Sequence, residues 1–156
     1  MATHLKPGDP APAFEALTTE GQKVSLSDYR GKKLVMYFYP HDDTPGCTKQ
    51  ACSLRDNMAP IAEKGAAVLG VSTQGVESHQ KFTKKYGLNF PLLADTEGTV
   101  GRAYGVLGGG GIVAKLKSAL GAADRVTFVI DERGRIANII QKPDVARHAG
   151  EVLDLL

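Results

Sequence analysis

The sequence predicts an α/β protein: a mixed central sheet flanked by helices, with a hairpin near its N-terminus. Three observations carry this. Lys33-Leu34-Val35-Met36-Tyr37-Phe38-Tyr39 and Ala66-Ala67-Val68-Leu69-Gly70-Val71-Ser72 are nearly continuous apolar runs, as expected of strands covered on both faces. A stretch of helical periodicity follows each run. Arg125 to Ile130 and Arg135 to Ile140, joined by Asp131-Glu132-Arg133-Gly134, read as a closing antiparallel hairpin. Strands alternating with helices and closed by a hairpin place helices on both faces of a mixed sheet. No internal repeat or low-complexity tract appears, so residues 1–156 read as one domain.

The elements follow in order. Residues 1–12 contain Pro7, Pro10 and Pro12 and should form an extended arm. Phe14 to Leu17 and Lys23 to Leu26 flank Thr18-Thr19-Glu20-Gly21-Gln22 as a hairpin. Ser27-Asp28-Tyr29-Arg30-Gly31 reads as a single turn capped by Ser27 and ended by Gly31. Pro40 ends the first apolar run. Cys47, Ala51, Leu54 and Met58 then fall on one helical face, and Pro60 must stop, kink or restart that helix. Val76 to Tyr86 is expected to be a helix ended by Gly87. Pro91 to Ala94 suits a short strand and Val100 to Tyr104 a short helix. Gly108–Gly111 reads as a flexible joint, followed by an amphipathic helix through Ile112, Val113, Leu116 and Leu120. A last helix places Val145, Ala149, Val152, Leu153 and Leu156 on one stripe.

Composition removes several functions. The formal charge of +2 does not argue for nucleic acid or an anionic membrane as main partner. No apolar run approaches the roughly 18–20 residues that span a bilayer. Met1 to Asp9 lacks the apolar core of a signal peptide, so a cytoplasmic, reducing setting is expected. Two cysteines are too few for a closed all-cysteine zinc site. His4, His41 and His148 are scattered, and no metal or cofactor is expected. Gly108–Gly111 is not a phosphate loop, because no Gly-Lys-Ser/Thr follows and Val113 stands where a third glycine belongs.

Tyr39-Pro40-His41-Asp42-Asp43-Thr44-Pro45-Gly46-Cys47-Thr48-Lys49-Gln50-Ala51-Cys52 carries the chemistry. A strand enters this stretch and a helix leaves it. If the helix begins near Gly46, its first unpaired N–H groups and its dipole surround the Cys47 sulfur and favour the thiolate, the form that attacks. Thr44 can turn its hydroxyl into the same pocket. Pro40 and Pro45 restrict solvent and fix the loop. The plain alternative is a small buried hydrophobe on an apolar helical stripe. By the same measure Arg125 is either a site cation or a surface ion pair at a strand start.

Pro40-x-x-x-Thr44-x-x-Cys47 resembles the peroxiredoxin active-site pattern. Thr44-Pro45-Gly46-Cys47-Thr48 with Cys52 is similar to the bacterioferritin-comigratory-protein, or PrxQ, branch. Gly70-Val71-Ser72, Phe90 to Asp95, Ala103 to Val106 and Arg125 to Asp131 extend the likeness over most of the chain. The resemblance implies a thioredoxin-like fold and reduction of hydrogen peroxide or organic hydroperoxides. Cys47 would be the peroxidatic cysteine, with Pro40, Thr44 and Arg125 completing its pocket. Those residues suit the chemistry: the thiolate takes an oxygen to become a sulfenic acid, and donors stabilise charge on the departing oxygen.

The resemblance also implies resolution by an intramolecular Cys47–Cys52 disulfide and recycling by a thioredoxin-type reductant. In an intact helix the two Cα atoms would lie about 8.7 Å apart. A disulfide needs less than about 7 Å. The reduced helix should therefore be intact and its first turns should melt on oxidation. Otherwise Cys52 is incidental and an external thiol resolves Cys47. Some members of the branch place the resolving cysteine on the next helix, where this chain has Phe82, Thr83, Lys84 and Lys85. An internal disulfide removes the need for a dimer, so a monomer is expected.

Gln50 stands where an acidic residue is common in the branch, His41 replaces a frequent lysine, and Thr73-Gln74 replaces a frequent Pro-Asp. His79 sits in a polar helical segment and is expected to be solvated. Asp42 and Asp43 are expected to face water. Two other functions compete. A disulfide reductase would reduce insulin without consuming peroxide, although its usual Cys-x-x-Cys spacing is not present. A redox-sensing or holdase-like binding protein would react slowly with peroxide and bind partners only when oxidised.

Overall fold

The computed structural model describes residues 3–107 and 123–156. The joint at Gly108–Gly111 and the helix expected through Ile112, Val113, Leu116 and Leu120 lie outside the described residues. Among those residues, β1 (Glu15–Thr18), β2 (Lys23–Ser25), β3 (Lys33–Phe38), β4 (Ala66–Ser72), β5 (Leu92–Ala94), β6 (Val126–Ile130) and β7 (Ile136–Ile140) form one sheet. Its order is β2-β1-β5-β4-β3-β6-β7. β3, β4 and β5 run parallel. β1 is antiparallel to β2 and β5, and β6 is antiparallel to β3 and β7. The helices are α1 (Pro45–Asp56), α2 (Met58–Glu63), α3 (Val76–Tyr86), α4 (Thr99–Ala103) and α5 (His148–Leu153).

β3 shows why its sequence is apolar throughout. Leu34, Met36 and Phe38 point into one cluster with Leu69, Val71 and Phe128. Val35, Tyr37 and Tyr39 point into the other, with Cys47, Leu54 and Phe82. Alternate residues of a strand face opposite sides, so a strand buried on both needs no polar face. α1, α2, α3 and α5 supply the second cluster, and α4 contributes Val100 to the first.

β4 crosses close under this layer at Gly70. A Cβ there would lie 2.7 Å from Leu92 Cδ2 and 3.0 Å from the Tyr37 ring. The missing side chain is what leaves room for Leu92 and the Tyr37 ring against β4.

Three expectations need correction. The turn after β2 is a 3-10 turn over Leu26–Tyr29, and its flanking residue is Ser25 rather than Ser27. The Asp28 carboxylate accepts the Ser25 N–H at 2.8 Å, which fixes the turn two residues earlier. Pro60 restarts the helix, one of the three outcomes expected of it. α1 stops at Asp56, and Pro60 occupies the first turn of α2, where a missing N–H breaks no intrahelical bond. The last helix starts at His148, because residues 145–147 form a turn. The N-terminal arm is not extended throughout: it turns at Pro7-Gly8, where Asp9 N–H donates to Lys6 O at 3.1 Å and Gly8 takes φ +96°, and there it pairs with β7, Gly8 N–H donating to Ile136 O at 2.8 Å and Ile136 N–H to Asp9 O at 2.9 Å.

Gly70→Ala is expected to destabilise the fold by about 1–3 kcal/mol through overpacking against Leu92 and Tyr37. Urea unfolding measures this, and an unchanged midpoint would contradict the packing described.

Candidate active site

β3 delivers the chain to the site. Tyr39 N–H still donates to Val71 O at 3.1 Å, and Pro40, half-buried, then forces the turn. Asp43 adopts φ +60°, a left-handed conformation uncommon outside glycine. Thr44 is extended, with φ −91° and ψ 156°, and Pro45 takes the first helical position of α1. The first helical bond runs from Thr48 N–H to Thr44 O at 2.8 Å. Gly46 and Cys47 therefore lie ahead of it, with N–H groups that the helix itself leaves unpaired.

Cys47 is a free thiol, 1% exposed. Arg125, just before β6, places Nη2 3.4 Å from Cys47 Sγ and donates through Nη1 to Gln50 Oε1 at 2.7 Å. A Cβ on Gly46 would lie 3.2 Å from Arg125 Nη2, so glycine leaves the guanidinium its seat over the helix start. The guanidinium is a permanent cation and points one of its N–H groups at the sulfur. Gln50 is fully buried and accepts from Arg125 without a negative charge of its own. The amide thus orients the guanidinium while leaving its charge for the sulfur. The Gln50 Nε2 and the Tyr37 hydroxyl are buried without hydrogen-bond partners. Burial pushes the Tyr37 phenol well above its ordinary value, and the nearby Cys47 and Asp42 push it further.

The structure thus brings Cys47, Arg125 and Gln50 together. Pro40 and Thr44 flank the same loop, but the Thr44 hydroxyl donates to His41 O at 3.1 Å. Cys52 is a free, half-buried thiol further along α1, and the helix is continuous through both cysteines.

Two expectations fail. His79 is fully buried, and Asp42 is 5% exposed. His79 Nδ1 lies 2.7 Å from Asp42 Oδ2. Asp42 also accepts from the Tyr39 hydroxyl at 2.6 Å and the Ser78 hydroxyl at 2.7 Å. Burial opposes ionisation of Asp42, but these bonds outweigh it and hold the carboxyl below its usual value. Asp43 is exposed yet fastened to α3, through Lys85 Nζ at 2.8 Å and the Tyr86 hydroxyl at 2.6 Å. A signal was available: His79 is spaced with Phe82 and Tyr86 on the apolar stripe of α3. His148 is buried too, pairing with the Thr127 hydroxyl at 2.9 Å and Glu151 at 3.1 Å. Among the described residues, no group of three His, Cys, Asp or Glu could hold a metal, and no helix is long and apolar enough to cross a membrane.

Known proteins match this chain over nearly its whole length. The AhpC/TSA family model matches residues 7–139. A putative peroxiredoxin Bcp of Coxiella burnetii is 43% identical over 97% of this chain and 99% of its own. Peroxiredoxin Bcp of Escherichia coli K12 is 39% identical, over 97% and 96%. The crystal structure of peroxidoxin BcpB from Mycobacterium tuberculosis superposes with a TM-score of 0.85 at 34% identity, over 97% and 96% of the two chains. A Xanthomonas campestris bacterioferritin comigratory protein, studied for its alkyl peroxide reduction, superposes at 0.80 with 31% identity, over 90% and 88%.

His148 generates a prediction about pH. Burial lowers its pKa from the ordinary 6.5, Glu151 partly opposes this, and Arg125 adds to it. Below 6.5 the unfolded chain binds a proton that the folded chain refuses until a lower pH. The stability tied to His148 is therefore complete above about pH 6.5 and falls as pH drops through that window. The urea midpoint should decrease between about pH 7.5 and about 5.5, and His148→Gln should flatten that slope. An unchanged slope in the variant would refute the assignment.

Proposed function

The chain belongs to the AhpC/TSA family, among the Bcp/PrxQ peroxiredoxins, and from that premise we propose that Cys47 is its peroxidatic nucleophile, Arg125 its activating cation and Cys52 its resolving thiol. The protein is a thiol peroxidase with a thioredoxin-like fold. The contact that carries the residue assignment is Arg125 Nη2 at 3.4 Å from Cys47 Sγ, at the unpaired start of α1.

In this reading the Cys47 thiolate attacks the terminal oxygen of the hydroperoxide. An S–O bond forms and the O–O bond breaks. The departing alkoxide or hydroxide takes a proton and leaves as alcohol or water, and Cys47 becomes a sulfenic acid. Arg125, the Cys47 N–H and the Thr44 hydroxyl offer donors to the charge on the departing oxygen. The Thr44 hydroxyl has first to leave His41 O. Cys52 then attacks the oxidised sulfur, an S–S bond forms and water departs. Two electrons from a dithiol reductant of the thioredoxin type restore both thiols.

Organic hydroperoxides belong among the substrates, a reading supported by the alkyl peroxide reduction of the Xanthomonas relative. The cycle needs neither metal nor organic cofactor, no nucleic acid and no membrane. An internal disulfide favours a monomer of one domain. A reducing compartment such as the cytoplasm suits a cycle that consumes dithiol.

Cys47→Ser should abolish peroxide consumption; surviving turnover would overturn the site. Cys52→Ser should keep the first turnover and accumulate a sulfenic acid trapped by dimedone. Normal multiple turnover with thioredoxin would instead favour an external resolving thiol. Mass spectrometry after one equivalent of peroxide should find a loss of about 2 Da on the Cys47–Cys52 segment. Arg125→Gln should slow the peroxide step by about 10²-fold, as for loss of one transition-state donor, in stopped-flow measurements. An unchanged rate would remove Arg125 from the mechanism.

A further inference from the structure

α1 has to open if Cys47 is to reach Cys52, and the structure contains fastenings that bound such an opening. Upstream, the Asp42 carboxylate collects the Tyr39, Ser78 and His79 bonds described above. Its N–H donates to Gln74 Oε1 at 3.0 Å, which also accepts from the Ser72 hydroxyl at 2.7 Å. His79 Nε2 lies 3.0 Å from the Leu93 carbonyl oxygen. Both ring nitrogens therefore face oxygens that accept hydrogen bonds. The imidazole thus bridges the carboxyl of the loop and the backbone of β5. Separating the two would leave buried polar groups without hydrogen-bond partners, so the pair is a poor place for the chain to open. Asp43 repeats the attachment at the other end of α3, through Lys85 and Tyr86.

Downstream, the Ser53 hydroxyl accepts the Ala149 N–H at 3.0 Å, Leu54 is fully buried, and Arg55 donates to the Tyr86 carbonyl. Thr44 to Cys52 lies between the two sets of anchors. Its N-terminal end is a helix terminus without a side-chain cap, which is where helices fray.

We propose that the buried, hydrogen-bonded Asp42–His79 pair is a positioning element for the peroxidase reaction: it holds the upstream end of α1 in both redox states, confines unwinding to Thr44–Cys52 and returns Cys47 to Arg125 after each cycle. This rests on the assignment of Cys47 and Cys52 given above. The pair touches neither sulfur. It acts by fixing the loop from which the nucleophile is carried.

Hydrogen–deuterium exchange on the full chain tests this. On oxidation of the wild-type protein, exchange should rise in peptides covering 45–52 and stay unchanged over 39–43 and 74–82. His79→Gln should raise exchange over 39–43 already in the reduced protein. It should slow the peroxide step about tenfold or more, the scale of a misplaced reacting group. Alkylation of Cys47 by iodoacetamide, which needs a thiolate but no such alignment, should not slow. Asp42→Asn, which keeps a side chain able to accept from Tyr39, should move both readouts in the same direction by less. The proposal is overturned if oxidised wild type loses protection over 39–43 as fully as over 45–52, or if both variants keep the wild-type peroxide rate. Absence of the disulfide mass change in wild type would instead refute the Cys47–Cys52 reading. Reduced-state exchange and the variants' peroxide rates would still decide the role of the pair.

Discussion

The contact between Arg125 and Cys47 depends on strand register. Phe38 pairs with Val126 across β3 and β6, 88 positions apart in the chain, so the residue before β6 arrives level with the turn that follows β3. One nitrogen of Arg125 then reaches the sulfur and the other reaches Gln50. A slip of one residue would send every side chain of β6 to the opposite face and carry the guanidinium away. The buried alternation of β6, with Val126, Phe128 and Ile130 in one cluster, is what forbids that slip. The chemistry at α1 is thus positioned by the hydrophobic core.

The same economy applies on the α1 side of the sheet. Tyr37 and Tyr39 stack with ring centroids 5.4 Å apart, and Phe90 and Phe82 meet them at 6.0 and 6.2 Å. This aromatic floor lies in the cluster that buries Cys47, while the Tyr39 hydroxyl reaches up to Asp42. A single strand end therefore contributes packing, a hydrogen bond to the loop and the point at which the loop begins.

Much of this was legible in the sequence where period and punctuation agree. The unbroken apolar run of β3, the αL glycine after α3 and the strand-Pro-turn-Gly-Cys order each point to one structure. The missed features share a cause. Asp42 and His79 are polar, and their burial depends on a partner 37 residues away, which no local pattern records. Cap positions at Ser25 and the late start of α5 turned on single hydrogen bonds and a short turn. Thr44 can turn its hydroxyl into the pocket, and the loop geometry that instead bonds it to His41 O leaves no trace in the sequence pattern.

The N-terminal arm does more than cover apolar surface. Its bonds to Ile136 run along the outer margin of β7, occupying backbone groups there that another polypeptide could pair with. At the far margin β2 is only three residues long and carries Lys23. Brief, charged or occupied margins are the usual means by which β proteins avoid joining edge to edge. Removing residues 3–11 would uncover one of these margins and invite self-association, a colloidal hazard unrelated to the chemistry at the opposite end of the strands.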